Sequence, residues 1–217
     1  MIYFLAYPAL IVAMRLLLRV LGRICSAGQQ NVPRQGGMIY CSNHLSDCDP
    51  VAIVVTAPRR CWIIGKSELF QIPILGWWFA RLHAFPIQRD SADRAALRRA
   101  EALLKSGEAL LLFPEGRLSE NGLLQQLQPG AALLSLRTGA PIVPIGLRNT
   151  DKIIPYGSLY PRYSHTPVHV IYGKPIAPES FASLPRRQAI EAMTDQLAAE
   201  LLQLAGQETS TLPGTFA

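Results

Sequence analysis

The sequence predicts an α/β domain, a largely parallel central sheet flanked by helices, with a membrane-associating helix in front of it. Three observations predict this. Short apolar runs bounded by turn residues, such as MIYCSN (38–43) and EALLLFPEG (108–116), read as buried strands. Helical patterns of about 10 to 15 residues alternate with them, as expected for a parallel sheet. A chain of 217 residues can bury one sizeable core.

The first element is unusual. Residues 2–14, IYFLAYPALIVAM, carry no charge, and Arg15, Arg19 and Arg23 then recur every four residues along one helical side. A signal peptide would carry its positive charge first. A spanning helix needs about 20 apolar residues, which here would require Arg15 and Arg19 to snorkel past a segment containing Pro8. A helix lying in a membrane interface, arginines toward the headgroups, fits better. A core-packing helix and a single span are the alternatives. This segment is taken as 1–26, the main domain as 27–207 and a frayed tail as 208–217.

After a turn-rich connector (27–37) comes the strand at 38–43. A helix follows from Asp49, a plausible N-cap, with Pro50 at its first position. CWIIGK (61–66) is a strand, and the aromatic stretch 69–90 ends in a short strand near 84–87. The segment 93–107 is an amphipathic helix stopped by Gly107. A strand at 108–116, a helix at 130–139, strands at 141–147 and 168–176, and a helix at 186–205 complete the chain.

Composition narrows the function. Hydrophobic residues make up 49% and the mean hydropathy is +0.18, too little for a multi-span membrane protein. The net charge of +6 suits an anionic membrane surface. Arginine is scattered and no basic block with interleaved aromatics occurs, which disfavours nucleic acid. Cys25, Cys41, Cys48 and Cys61 lack metal-ligand spacing and read as reduced thiols of a cytosol-facing protein.

Polar clusters fall at strand ends, where parallel sheets carry their sites. His44 and Asp49 follow the first strand, Lys66 ends the second, Arg89 follows the short one, and Glu115, Gly116 and Arg117 follow LLLF. A turn from strand to helix can bring Asp49 beside His44, leaving the other imidazole nitrogen as a base. Asp47 is a rival partner, and a satisfied loop histidine is the plainer alternative. His83, His165 and His169 have no acid at a telling spacing. Cys41 and Cys48 are candidate nucleophiles, although Cys41 lies in an apolar strand, and Ser46 belongs to no nucleophile elbow. GKS at 65–67 is not a phosphate loop, since Arg60 stands where a glycine is needed. Gly116 permits a tight turn, Arg117 suits phosphate, and Glu115 can hold its guanidinium in place.

Together NHLSDCD (43–49), FPIQRD (85–90), FPEGRLS (113–119) and VPIGL (143–147) resemble, in order, the four motif blocks of the glycerolipid acyltransferases related to 1-acylglycerol-3-phosphate acyltransferase. The resemblance covers roughly residues 38–150. It implies His44 as general base, Asp49 as its orienting partner, and Arg89, Glu115, Gly116 and Arg117 as the acceptor-phosphate site, with Lys66 beside them and Pro144 on the acyl side. The third block reads Arg-Leu-Ser after its glycine, where a polar run such as Thr-Arg-Ser is common; Leu118 therefore leaves the acceptor's identity open.

The expected reaction moves a fatty acyl group from a thioester, acyl-CoA or acyl carrier protein, to the hydroxyl of 1-acylglycerol 3-phosphate, giving phosphatidic acid. No cofactor or metal is implied. The partners are that lysophospholipid, the donor and the anionic cytoplasmic face of the cell membrane. Residues 69–85 line an acyl tunnel, dip into the bilayer or form ordinary core. Another acceptor such as lyso-ornithine lipid, a Cys–His thioesterase or lipid hydrolase, and a silent lipid-binding protein are the alternatives.

Overall fold

The computed structural model describes residues 2–66, 84–87, 94–158 and 160–207, with side chains for 11–65, 94–158 and 160–207. The stretch 67–83, Arg89 and the tail 208–217 lie outside the described residues.

Seven strands form one sheet: β1 (Ile24–Ala27), β2 (Met38–Ser42), β3 (Cys61–Lys66), β4 (Ala84–Ile87), β5 (Ala109–Leu112), β6 (Ile142–Arg148) and β7 (Val168–Tyr172), in the order β1-β7-β6-β2-β5-β3-β4. From β6 to β4 all neighbours are parallel. β7 runs antiparallel to β6, and β1 runs with β7. β1 has no counterpart in the sequence expectations, because ICSA is mostly exposed and offers no buried run. It also straddles the expected boundary between 26 and 27, so the first segment is tied into the sheet.

Helices α1 (Ile2–Leu21), α2 (Asp49–Thr56), α3 (Arg94–Lys105), α4 (Gly130–Thr138) and α5 (Arg186–Ala205) cover both faces. Strand alternation sorts the core. Met38 and Tyr40 of β2 join the layer under α1 and α2, whereas Ile39 and Cys41 join the layer under α3, α4 and α5. Pro144 sits mid-strand in β6, opposite Cys41. Its missing N–H falls where the β7 ladder has ended at Tyr172, while its carbonyl accepts the N–H of Gly173 at 2.8 Å.

α1 departs from the expected arrangement. Ile11, Met14, Leu18 and Leu21, at helical spacing, pack into the core, and Leu18 is almost fully buried. Arg15, although exposed, is engaged by the protein itself. Its Nε donates to the Val55 carbonyl at 3.1 Å, and its Nη2 donates to the same oxygen, closing an open carbonyl near the end of α2. The other side of α1 keeps Val12, Leu16, Leu17 and Val20 more than half exposed. Among the described residues no helix is long and apolar enough to cross a membrane.

Candidate active site

The carboxyl ends of β2, β5, β3 and β4 lie side by side, which gathers His44, Asp49, Lys66, Glu115, Gly116 and Arg117 on one edge of the sheet. The chain leaving β2 turns sharply before α2. Cys48, not Asp49, occupies the cap position, and Asp49 is the first helical residue with Pro50 behind it. Asp49 therefore does no capping. Its buried carboxylate folds back over the loop, where Oδ2 accepts the N–H of Leu45 at 2.7 Å, the N–H of Ser46 at 2.9 Å and Nδ1 of His44 at 2.9 Å. An oxygen that already accepts two main-chain donors requires the imidazole to donate as well. Nδ1 thus carries the hydrogen and Nε2 presents its lone pair. Nε2 makes no hydrogen bond among the described residues, and the side chain is 10% exposed, enough for a substrate to reach. Asp47 is exposed and takes no part.

The third motif block holds the histidine from behind. Phe113, Pro114, Glu115 and Gly116 form a tight turn, closed by the Gly116 N–H to the Phe113 carbonyl at 3.0 Å. Gly116 has φ +72°, where a side chain would be strained. The Phe113 ring stacks on the His44 imidazole at 3.9 Å between centroids. Glu115 Oε1 accepts the His44 N–H at 2.7 Å, Glu115 Oε2 accepts the Gln125 N–H at 2.8 Å, and Ser119 N–H reaches the His44 carbonyl at 2.8 Å. Burial pushes the Glu115 carboxyl up to about 7, despite the opposing pull of those two amides.

This corrects the role expected of Glu115. Both its oxygens are occupied by main-chain amides, so it does not hold the Arg117 guanidinium. Arg117 is exposed and makes no hydrogen bond or ion pair among the described residues, leaving its fork free. Lys66 ends β3 on the same edge; its side chain and Arg89 lie outside the described atoms. Pro144 pairs with Cys41, three residues short of His44, and lies inside the sheet.

Asn43 is a residue that sequence reasoning passed over, although it opens the first block. Its carboxamide continues the β2–β6 ladder, Nδ2 donating to the Leu147 carbonyl at 3.0 Å and Oδ1 accepting the Leu147 N–H at 2.7 Å. Phe113 was likewise visible only as an apolar strand end.

The thiols do not supply a nucleophile. Cys41 is fully buried on the far face of the sheet and burial pushes its thiol well up. Cys48 is buried against Ser46 and the Thr150 carbonyl, its thiol pushed up to about 12. The Cys–His alternative is therefore set aside.

Two cavities flank the histidine. One, about 340 Å³, is apolar and opens against Phe113, with Ile64, Leu97, Leu112 and Leu134 in its walls. The other, about 500 Å³, is polar and lies beside Leu45 and Ser119, with Lys152, Tyr156 and Arg162 around it.

The Acyltransferase family model matches residues 23–148. A chloroplastic 1-acyl-sn-glycerol-3-phosphate acyltransferase of Brassica napus is 35% identical over 152 residues, 69% of this chain and 44% of the relative. The chain thus spans under half the length of that plant protein. The 1-acyl-sn-glycerol-3-phosphate acyltransferase of Bacillus subtilis is 27% identical over 194 residues, 88% of this chain and 93% of the relative. The crystal structure of the 1-acyl-sn-glycerophosphate acyltransferase PlsC from Thermotoga maritima superposes with a TM-score of 0.70 at 23% identity, covering 93% of this chain and 83% of that one, and shows the same fold.

Proposed function

From the premise that the chain belongs to the acyltransferase family, we propose that it acylates the free hydroxyl of 1-acylglycerol 3-phosphate, yielding phosphatidic acid. The observation that carries this reading is the His44–Asp49 pair, with Nε2 free and no activated nucleophile beside it among the described residues. Such a pair serves a substrate that is itself the nucleophile.

The lysolipid hydroxyl gives its proton to His44 Nε2 as its oxygen bonds to the thioester carbonyl carbon. Asp49 keeps the tautomer and stabilises the imidazolium. Collapse of the tetrahedral intermediate breaks the C–S bond, and the imidazolium returns the proton to the leaving thiolate. Arg117 and Arg89 hold the phosphate with Lys66 nearby, so part of the rate gain is positioning. The apolar cavity behind Phe113 receives a fatty chain. Pro144 shapes β6. The donor is acyl-CoA or an acylated carrier protein.

The exposed apolar side of α1 lies in the interface of an anionic membrane on its cytoplasmic face. Residues 27–207 act as the catalytic unit, with α1 seated on it.

The test is an acyl-transfer assay over a panel of lysolipids with the wild type and His44→Ala. Transfer that survives the substitution would overturn the mechanism. Preference for an acceptor without phosphate would overturn the substrate.

A further inference from the structure

Nine large apolar side chains are markedly exposed among the described residues, and their distribution is uneven. Four are on α1, and three are the tyrosines of the loop that follows β6: Tyr156 at 52%, Tyr160 at 77% and Tyr163 at 63% exposed. We propose that this loop is a second membrane-contact element, placing Tyr160 and Tyr163 in the headgroup layer of an anionic bilayer beside α1. The proposal rests on the interfacial reading of α1 given above and extends it to a separate part of the chain.

The two surfaces are joined. Ser164 N–H donates to the Leu21 carbonyl at 2.7 Å, at the end of α1, and Ile153 packs into the same core layer as Leu18. Gly22 lies against Ile153 and Ser164, where an added Cβ would meet both at about 3.4 Å. The loop is therefore fastened to the carboxyl end of α1, next to the turn that carries Arg19, Val20 and Arg23.

The loop is also held open. Arg162 N–H binds the Ile153 carbonyl at 2.8 Å, Ser158 N–H binds the Pro155 carbonyl at 2.9 Å, and the Ser164 hydroxyl binds the Thr166 carbonyl at 2.9 Å. A backbone fixed in this way presents its side chains without further ordering, which lowers the cost of docking. Tyr156 is engaged at the surface, donating its hydroxyl to the exposed Glu120 at 3.1 Å. The hydroxyls of Tyr160 and Tyr163 make no hydrogen bond among the described residues, although the Tyr163 ring packs edge-on against His165.

Tyrosine is suited to the bilayer interface, its ring in the acyl boundary and its hydroxyl among headgroups. The charges agree in sign. Arg19 and Arg23, at the end of α1 that meets the loop, and Arg162 within it are all exposed. The neighbouring acids are engaged, Asp151 by Lys152 at 3.0 Å and Glu120 by Tyr156. An anionic lipid surface answers both the tyrosines and the arginines. Ser46 ties this loop to the catalytic turn through the Ile154 carbonyl at 2.8 Å, so docking it would bring the polar cavity beside His44 against the headgroups.

The experiment is vesicle co-sedimentation of the full chain, with phosphatidylcholine vesicles and with vesicles containing phosphatidylglycerol. Three double variants are compared with the wild type: Tyr160→Ser/Tyr163→Ser, Leu17→Ser/Val20→Ser on α1, and Leu123→Ser/Leu184→Ser as exposed apolar controls elsewhere. Expected is a preference of the wild type for anionic vesicles, about tenfold weaker partitioning of the tyrosine variant, and no change in the control. A tyrosine variant that binds as wild type, while the α1 variant fails, would overturn this proposal and leave the α1 reading standing. A wild type that ignores both vesicles would overturn both. Equal weakening by the control pair, or retained vesicle binding with lost affinity for acyl carrier protein, would each overturn the lipid assignment.

Discussion

Glu115 accepts the main-chain N–H of His44 at 2.7 Å across 71 positions of sequence. The third motif block thus reaches the first through a buried carboxylate rather than through substrate. Stacking of Phe113 and the Ser119 hydrogen bond complete the grip. The His44 main chain is consequently held at both its N–H and its carbonyl, and its ring by Phe113 and Asp49, while Nε2 stays open. The same carboxylate carries a pH dependence.

Burial raises the Glu115 carboxyl from 4.5 to about 7. The folded protein then binds this proton more tightly than the unfolded chain does. The associated stability is fully present below about 4.5 and is lost as pH rises through about 7, by on the order of 3 kcal/mol. Urea unfolding at pH 5 and pH 8 should show the wild type losing more stability than Glu115→Gln over this window. Parallel loss in both proteins would refute the assignment.

His44→Ala should lower kcat by about 10²–10⁴-fold, since it removes the base. Asp49→Asn should lower kcat comparably with a small change in Tm. Asp49→Ala strands the Leu45 and Ser46 amides as well, and should cost about 2–4 kcal/mol in denaturant unfolding. Equal stability of the Asn and Ala variants would contradict the account of Asp49 as a loop strut.

Arg117 is exposed, so Arg117→Ala should leave Tm within about a degree or two while raising KM for a phosphate-bearing lysolipid about 10- to 100-fold. KM for an acceptor lacking phosphate should be unchanged. Steady-state kinetics with the two acceptors separates phosphate recognition from general damage.

Asn43→Ala should destabilise the fold by about 2–3 kcal/mol, because Leu147 loses both hydrogen bonds inside the sheet. Asn43→Asp should be no better, since it buries a charge and deletes the donor. Thermal unfolding checks both. A neutral Asp variant would mean the clamp is dispensable.

Cys41→Ala and Cys48→Ala should retain acyl transfer within about threefold, as neither thiol serves the chemistry. Loss of turnover in a folded, soluble Cys48→Ala protein would restore the covalent alternative.

The order of strands and helices was legible because each buried strand is a short apolar run and each helix repeats its apolar side. The pairing of His44 with Asp49 was legible too, since five residues suffice for one turn. What could not be read lay in partnerships across the chain. Glu115 looked like a partner for Arg117, two residues away, but serves a main-chain amide distant in sequence. Asn43 extends a strand through its side chain, which no periodicity reports. In α1 the evenly spaced arginines drew attention from Ile11, Met14, Leu18 and Leu21, whose spacing marks the packed side. β1 was missed because its order comes from its neighbour β7.

α2 has only eight residues, about 12 Å from end to end. Asp49 begins it, and Arg15 of α1 is fastened to the Val55 carbonyl near its other end. Trimming the first helix to obtain a better-behaved protein would therefore cut into the catalytic framework itself. It would bare one side of α2, unfasten its far turn and loosen the acid that steadies His44. Shortened forms should lose turnover even in detergent, where attachment to a membrane no longer matters, and solubility is better sought by replacing Leu16, Leu17 and Val20 than by deleting them.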